Sequence, residues 1–272
     1  MFEEVVELVG KEEGQTSVVL AGVHGNEKCG VEAFEKILSN LQIEKGRVLF
    51  IYGNPKAIES NQRFIEANLN RMFRDEGLLS GVEKKTYEYG RANYLKKYFD
   101  QADALLDVHA SFTPQSKPFV ICEENARAIA SYLPFDLVVS GFYELEPGGT
   151  DYYMNANGKV GVCIEYGYLG DNKSTRVAEE SIIAFLKIRG HLTNDLLPKE
   201  QAHVQMNYLY KTKTDNFTLS RIFDDFEEVP KGQVVGMDGE TEVKTEDEGI
   251  ILFTRNLQQV GGEAFLLGKK VK

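Results

Sequence analysis

Only three cysteines occur in the sequence, Cys29, Cys122 and Cys163, an odd set with no C-x-x-C spacing. This argues against a disulfide framework and a thiolate zinc site, and the three read as small buried side chains in a reducing compartment. Basic charge is also scarce: 31 Lys and Arg stand against 42 Asp and Glu, a formal net charge of −11. No net positive field would draw a phosphate backbone, so nucleic acid is not expected as a partner. No apolar run approaches the ~18 residues of a membrane span. The opening segment MFEEVVELVGKEEG places acidic residues where a signal peptide needs a basic segment and an apolar core. The expected setting is therefore the cytoplasm, without a membrane partner. Internal repeats, low-complexity tracts and Gly/Ser linkers are missing as well.

What remains is the composition of a folded protein, 42% apolar and 27% charged. A chain of 272 residues holds a full core of ~200 residues and a smaller appendage of about 70. Apolar, β-branched runs recur at 17–23, 47–53, 104–108, 119–122, 137–142 and 159–164. They read as strands buried on both faces, as in a parallel sheet. Helical patterns lie between them: an apolar face formed by Val31, Phe34, Ile37, Leu38 and Leu41, a long stretch at 83–99, and 175–189 ending at Gly190. The expected class is α/β, a mostly parallel mixed sheet flanked by helices. From about Gln201 the texture changes to short β-prone pieces between Gly, Asp and Glu clusters. We divide the chain into an α/β hydrolytic domain at 1–195 and a small all-β C-terminal module at 196–272, with the boundary at TNDLLPKEQ.

Ligands of α/β sheets collect outside the carboxyl ends of the strands, and several polar residues fall there. VVLAGVHGNEKCG sets His24 and Glu27 just past the first run, where imidazole and carboxylate donors could share one ion. ALLDVHASF sets His109 at another strand end, a third ligand of the kind a catalytic zinc site needs, with Asp107 two residues earlier. VGVCIEYGYLG sets Glu165 at a third strand end, where a carboxylate has no packing role and could act as a base. GNPKAIESNQRFIEANLNRMF adds Arg63, Asn70 and Arg71, suited to a carboxylate or a developing oxyanion. Each match taken alone is equally that of a solvated turn, a hydrogen-bonded core histidine, a capping carboxylate or a solvated basic face.

In this order, HGNE, NP with Arg63, NLNRMF, DVHAS and IEYG resemble the succinylglutamate desuccinylase/aspartoacylase family, whose domain is similar to that of zinc carboxypeptidases. The resemblance spans roughly 19–190, and the β-rich tail is similar to that family's C-terminal module. It implies one zinc per chain held by His24, Glu27 and His109, and Glu165 as general base. It also implies Arg63 polarising the scissile carbonyl, and Asn70 with Arg71 gripping a substrate carboxylate. Aspartoacylases carry a further Arg between the second zinc His and the catalytic Glu. Here the only Arg in that interval is Arg127, in a helical stretch, and EPGGTDYYMN, which resembles the substrate loop, has none.

The expected activity is hydrolysis of an N-acyl amide on a small substrate with a free carboxylate. Two alternatives are a carboxypeptidase-type peptidase using the same residues, and a metal- or partner-binding protein without catalysis. A C-terminal module walling the cleft would exclude extended peptides. Zinc suits two imidazoles and a carboxylate, although cobalt or nickel would bind the same donors. The chain is compatible with a homo-oligomer.

Overall fold

A computed structural model of the chain describes residues 4–111, 114, 116–169, 171 and 173–271. The strands and helices alternate through the first part: β1 (Val5–Val9), β2 (Glu12–Ala21), α1 (Lys28–Leu38), β3 (Lys45–Tyr52), α2 (Pro55–Ser60), α3 (Tyr87–Phe99), β4 (Ala104–Ser111), β5 (Phe119–Cys122), α4 (Arg127–Ala130), β6 (Leu137–Ser140), α5 (Phe142–Leu145), α6 (Thr150–Ala156), β7 (Val160–Tyr168) and α7 (Ser174–Ile188). Seven strands follow: β8 (Ala202–Lys211), β9 (Phe217–Leu219), β10 (Glu227–Val229), β11 (Val234–Asp238), β12 (Thr241–Lys244), β13 (Gly249–Leu252) and β14 (Glu263–Val271).

Eleven strands form one mixed sheet in the order β1-β3-β2-β4-β7-β5-β6-β8-β14-β13-β10. Its centre is parallel, with β3, β2, β4 and β7 running side by side, while β1 and β5 join antiparallel. Both faces are covered, and the alternation along β2 shows how. Val19 and Ala21 face Phe34 of α1 and Ile182 and Phe185 of α7. Val18 and Leu20 face Leu95 and Phe99 of α3 and Met154 of α6. A central strand buried on both sides must be apolar at successive positions, which is why these runs stand out in the sequence.

Local signals set the ends of the elements. Asn54 caps α2, its Oδ1 accepting the Ala57 N–H at 3.3 Å ahead of Pro55 in the first turn. Gly190, at φ +75°, closes the chain beyond α7. β1, α2, α5 and α6 lie outside the sequence expectation, and two of them show why. β1 is an antiparallel edge strand whose side chains are only partly buried, so its apolar pattern is diluted by Glu. α6 is a seven-residue helix with two buried residues, too short to show periodicity.

Residues 196–272 are β-rich but do not stand apart from the sheet. β8 pairs parallel with β6, and β14, β13 and β10 continue from it antiparallel. β9, β11 and β12 form a separate three-stranded sheet, closed over Tyr210, Phe217, Phe223, Val235 and Phe265. Among the described residues no helix is long and apolar enough to cross a membrane.

Candidate metal centre and active-site cleft

His24 and Glu27 sit on the turn that joins β2 to α1. The turn passes so close to α2 that a Cβ on Gly25 would lie 2.0 Å from the Ala57 carbonyl carbon, so only glycine fits there. Glu27 occupies the N-cap position of α1 without capping it. Its carboxylate instead turns inward and accepts the Ala110 N–H at 3.1 Å. His109 comes from β4, with its partner across the ladder being Glu165 of β7. Directly paired residues of neighbouring strands share a face of the sheet, so Glu165 stands level with His109 on the same side.

The ligating atoms of His24, Glu27 and His109 lie within 4.8 Å of one another, all three side chains buried. Hydrogen bonding defines the tautomers. Asn68 Oδ1 accepts the Asn70 N–H at 3.0 Å and lies 3.0 Å from His24 Nε2, so that ring nitrogen is the donor. Asp107 Oδ2 accepts from the Thr150 hydroxyl at 2.5 Å and from His109 Nε2 at 3.0 Å. In the neutral rings both Nδ1 lone pairs then face Glu27, at 2.8 Å from Oε1 and 3.0 Å from Oε2. Acceptors crowded against acceptors in a buried site call for a cation between them. The donor set therefore fits a divalent ion.

The titration behaviour follows the same crowding. Burial, helped by Arg63, pushes His24 down to about 4, against the pull of Glu27. Burial also opposes charge on His109, but Asp107 and Glu27 outweigh it and hold its pKa well above the usual value. Glu27 lies well below the ordinary carboxyl range because His24 and His109 overcome the cost of its burial. Glu165 goes the other way: burial drives it well above that range, with Glu27 adding to the rise and His109 opposing it. Its Oε2 is buried with no hydrogen-bond partner among the described residues.

All seven residues singled out in the sequence line one cleft of about 810 Å3, counted out to its open mouth: His24, Glu27, Arg63, Asn70, Arg71, His109 and Glu165. Arg63 Nη1 donates to Glu27 Oε1 at 3.0 Å, and Asn70 Oδ1 accepts the Thr150 N–H at 3.3 Å. Arg71 is more heavily engaged than the sequence suggests. Its Nε and Nη2 donate to the two oxygens of Glu263 at 3.1 and 2.7 Å. Nη2 also lies 3.1 Å from Glu146, and Nη1 donates to the Asn70 carbonyl at 2.8 Å.

Asp107, a weak candidate in the sequence, orients His109. Arg127 lies elsewhere, in a surface hollow with Gln201 and His203. His191 is a structural histidine bonded to Ser17 and the Lys45 carbonyl, and His203 bonds Ser140. Sequence reasoning missed Asn68, Thr150, Asp151, Glu263 and Arg255, and offered Glu146, with Glu144, only as an alternative base to Glu165. The first three sit inside or beside quoted motifs; Glu263 and Arg255 reach the cleft only because β14 and β13 fold back beside it. It also missed Glu88 of α3, a fully buried carboxylate. Glu88 accepts the Ile65, Glu66 and Ala67 N–H groups and the Asn54 amide, pinning the loop that carries Arg63 and Asn68.

Residues 13–189 match the succinylglutamate desuccinylase/aspartoacylase catalytic domain. The chain belongs to this family. A succinylglutamate desuccinylase of Shewanella sp. (strain W3-18-1) is 29% identical over 269 residues, covering 87% of this chain and 76% of that protein. The solved succinylglutamate desuccinylase of Vibrio parahaemolyticus superposes with a TM-score of 0.81 at 20% identity, over 99% of this chain and 86% of that one. The ectoine utilization protein EutE (DoeB) of Ruegeria pomeroyi, solved with product bound, gives 0.73 at 19% identity, over 97% and 88%. The fold of this family is thus the fold described above.

Proposed function

We propose that the chain is a zinc-dependent amidohydrolase that cleaves the N-acyl amide of a small carboxylate-bearing substrate, an N-acyl amino acid deacylase of the desuccinylase/aspartoacylase kind. The observation that carries this reading is Glu165, a buried carboxylate with an unpartnered oxygen, paired in register with His109 beside the metal-binding group. Family membership supports the amide-hydrolase class, and two imidazoles with one carboxylate suit zinc.

His24, Glu27 and His109 would hold the zinc ion, which when bound would supply Lewis acidity to lower the pKa of a water toward ~7 and to polarise the acyl carbonyl. Glu165, level with His109 on the same face of the sheet, accepts the proton of the attacking water. Arg63 is a fixed cation beside the cluster for the oxygen that gains charge as the carbonyl carbon becomes tetrahedral. When the C–N bond breaks, Glu165 returns its proton to the leaving amine, so the products are a carboxylic acid and an amine. Asn70 and Arg71 form the wall against which the rest of the substrate lies. Phe253, Thr254 and Arg255 close the other side from the C-terminal strands. This narrowing supports a small acyl-amino-acid substrate over an extended peptide.

Hydrolysis of a panel of N-acyl amino acids by the zinc-loaded protein, with Glu165→Gln beside the wild type, tests the proposal. The variant should keep fold and zinc while kcat falls by ~10²–10⁴ on every substrate turned over. Near-wild-type kcat in the zinc-loaded variant would refute the mechanism.

A further inference from the structure

The segment that joins α5 to α6 puts carboxylates into the cleft and no arginine. Glu146 Oε1 lies 3.1 Å from Arg71 Nη2, and Asp151 stands in the first turn of α6; both line the cleft. Burial opposes the charge on Arg71, but Glu146, Glu263 and Asp151 together outweigh it. Asp151 itself has no cation to pair with among the described residues. Arg63 pairs with Glu27, Arg71 with Glu146 and Glu263, and Arg255 Nη2 lies 3.8 Å from Glu263. Burial accordingly lifts the Asp151 carboxyl to about 6, against the pull of the Tyr152 N–H. A carboxylate held away from water without a counter-charge is costly, and a cation beside it would relieve that cost.

Asp151 is fixed where it stands. Thr150, just before it, donates its hydroxyl to Asp107 at 2.5 Å and its N–H to Asn70 Oδ1 at 3.3 Å. β7 presses on its backbone, since a Cβ on Gly161 would lie 2.5 Å from the Asp151 carbonyl oxygen. A Cβ on Gly149 would meet Asp151 Oδ1 at 2.6 Å and Asn70 Oδ1 at 3.3 Å. Two acceptor oxygens therefore converge next to Arg71, and only a donor satisfies both. That the cleft holds a ligand at all is argued separately by Glu165. It is 7% exposed, lines the same cleft, and has one oxygen with no partner among the described residues.

We infer that Asp151, together with Glu146, selects a substrate that carries an ammonium group in addition to its one free carboxylate, a mono-N-acyl diamino acid. The assignment deepens the proposed function and rests on it, because it takes the cleft to be the site of amide hydrolysis. Charge decides the class. A substrate carboxylate laid against Asn70 and Arg71 competes with Glu263 and Glu146 for one guanidinium. A substrate that brings its own cation supplies a partner for Asp151 and for the acids so displaced. A second substrate carboxylate would instead add like charge to a wall that already presents Glu146 and Asp151.

Calorimetry on the zinc-loaded full chain, in the Glu165→Gln background so that no probe is consumed, tests the inference. The cationic probes are the Nα-acetyl derivatives of 2,4-diaminobutyrate, ornithine and lysine, each beside the analogue with a methyl group in place of the ammonium. The acidic probes are those of aspartate, glutamate and 2-aminoadipate. With Asp151 intact, the cation of at least one chain length should bind about ten- to hundredfold more tightly than its methyl analogue, and no acidic probe should gain over the methyl compound of like length. Adding Asp151→Asn should bring the ratio to within about threefold, and Asp151→Glu should keep part of it. No cation preference at any length, an unchanged preference in Asp151→Asn, or an equal weakening of all three kinds of probe would overturn the inference. Turnover by the wild type separates it from the proposed function. Hydrolysis of the probes without a cation preference sinks the inference alone, whereas a cation preference in a protein that hydrolyses no N-acyl amino acid counts against the proposed function alone.

Discussion

Glu88→Gln tests whether a single buried carboxylate on α3 positions the loop of the cleft. Four donors converge on Glu88: Ile65 N–H at 2.7 Å and the Asn54 amide at 3.2 Å on Oε1, Glu66 N–H at 3.2 Å and Ala67 N–H at 3.1 Å on Oε2. Glutamine keeps the shape but has one acceptor. Whichever way the amide turns, its NH2 faces two of these donors. Leaving a buried donor unmatched costs about 1–3 kcal/mol, and the partial exposure of this loop favours the lower half of that range. Two lost partners therefore predict a loss of about 2–4 kcal/mol, which at roughly 2–4 °C per kcal/mol lowers Tm by about 4–16 °C. Urea denaturation should show a lower midpoint at unchanged slope, and amide exchange should accelerate at 65–67. Because Arg63 and Asn68 ride on the same loop, kcat/KM should fall too. A Tm within 1 °C of wild type, with exchange at 65–67 unaltered, would show that Glu88 does not hold this loop.

The remaining predictions concern the metal and the C-terminal strands. Elemental analysis should find one zinc per native chain and a large loss in His109→Ala, whereas His191→Gln and His203→Gln should retain it because both rings are bonded elsewhere; unchanged metal in His109→Ala would remove His109 from the site. Glu263→Ala deprives Arg71 of its bidentate partner and leaves Glu146 as its remaining carboxylate contact. Breaking one side of a largely buried pair should cost about 2–4 kcal/mol and raise protease sensitivity near β14. An undiminished denaturation midpoint would show that the pair does not fasten these strands.

The sequence disclosed most where each residue answered to one constraint. β2, β3, β4 and β7 are buried on both faces, so their apolar runs could not be diluted, and their carboxyl ends mark where His24, His109 and Glu165 had to emerge. β1 escaped notice because an edge strand is free to alternate with Glu. Asn68 and Asp107 hydrogen-bond the two histidines of the candidate metal group, and Thr150 acts through Asp107; nothing in residue type separates such a partner from an ordinary loop or strand residue. Glu263 and Arg255 were invisible for a different reason. Their place in the cleft depends on β8 pairing with β6 and on β14 and β13 returning beside it, which brings Glu263 to Arg71, 192 residues earlier, a contact that no local pattern encodes. The same topology explains why Arg71 could look like an open carboxylate clamp in the sequence while its fork is filled in the folded chain. What occupies it arrives from the last strand. A motif states which side chains the cleft can call on, but the long-range pairing decides which of them is left with an unfilled face.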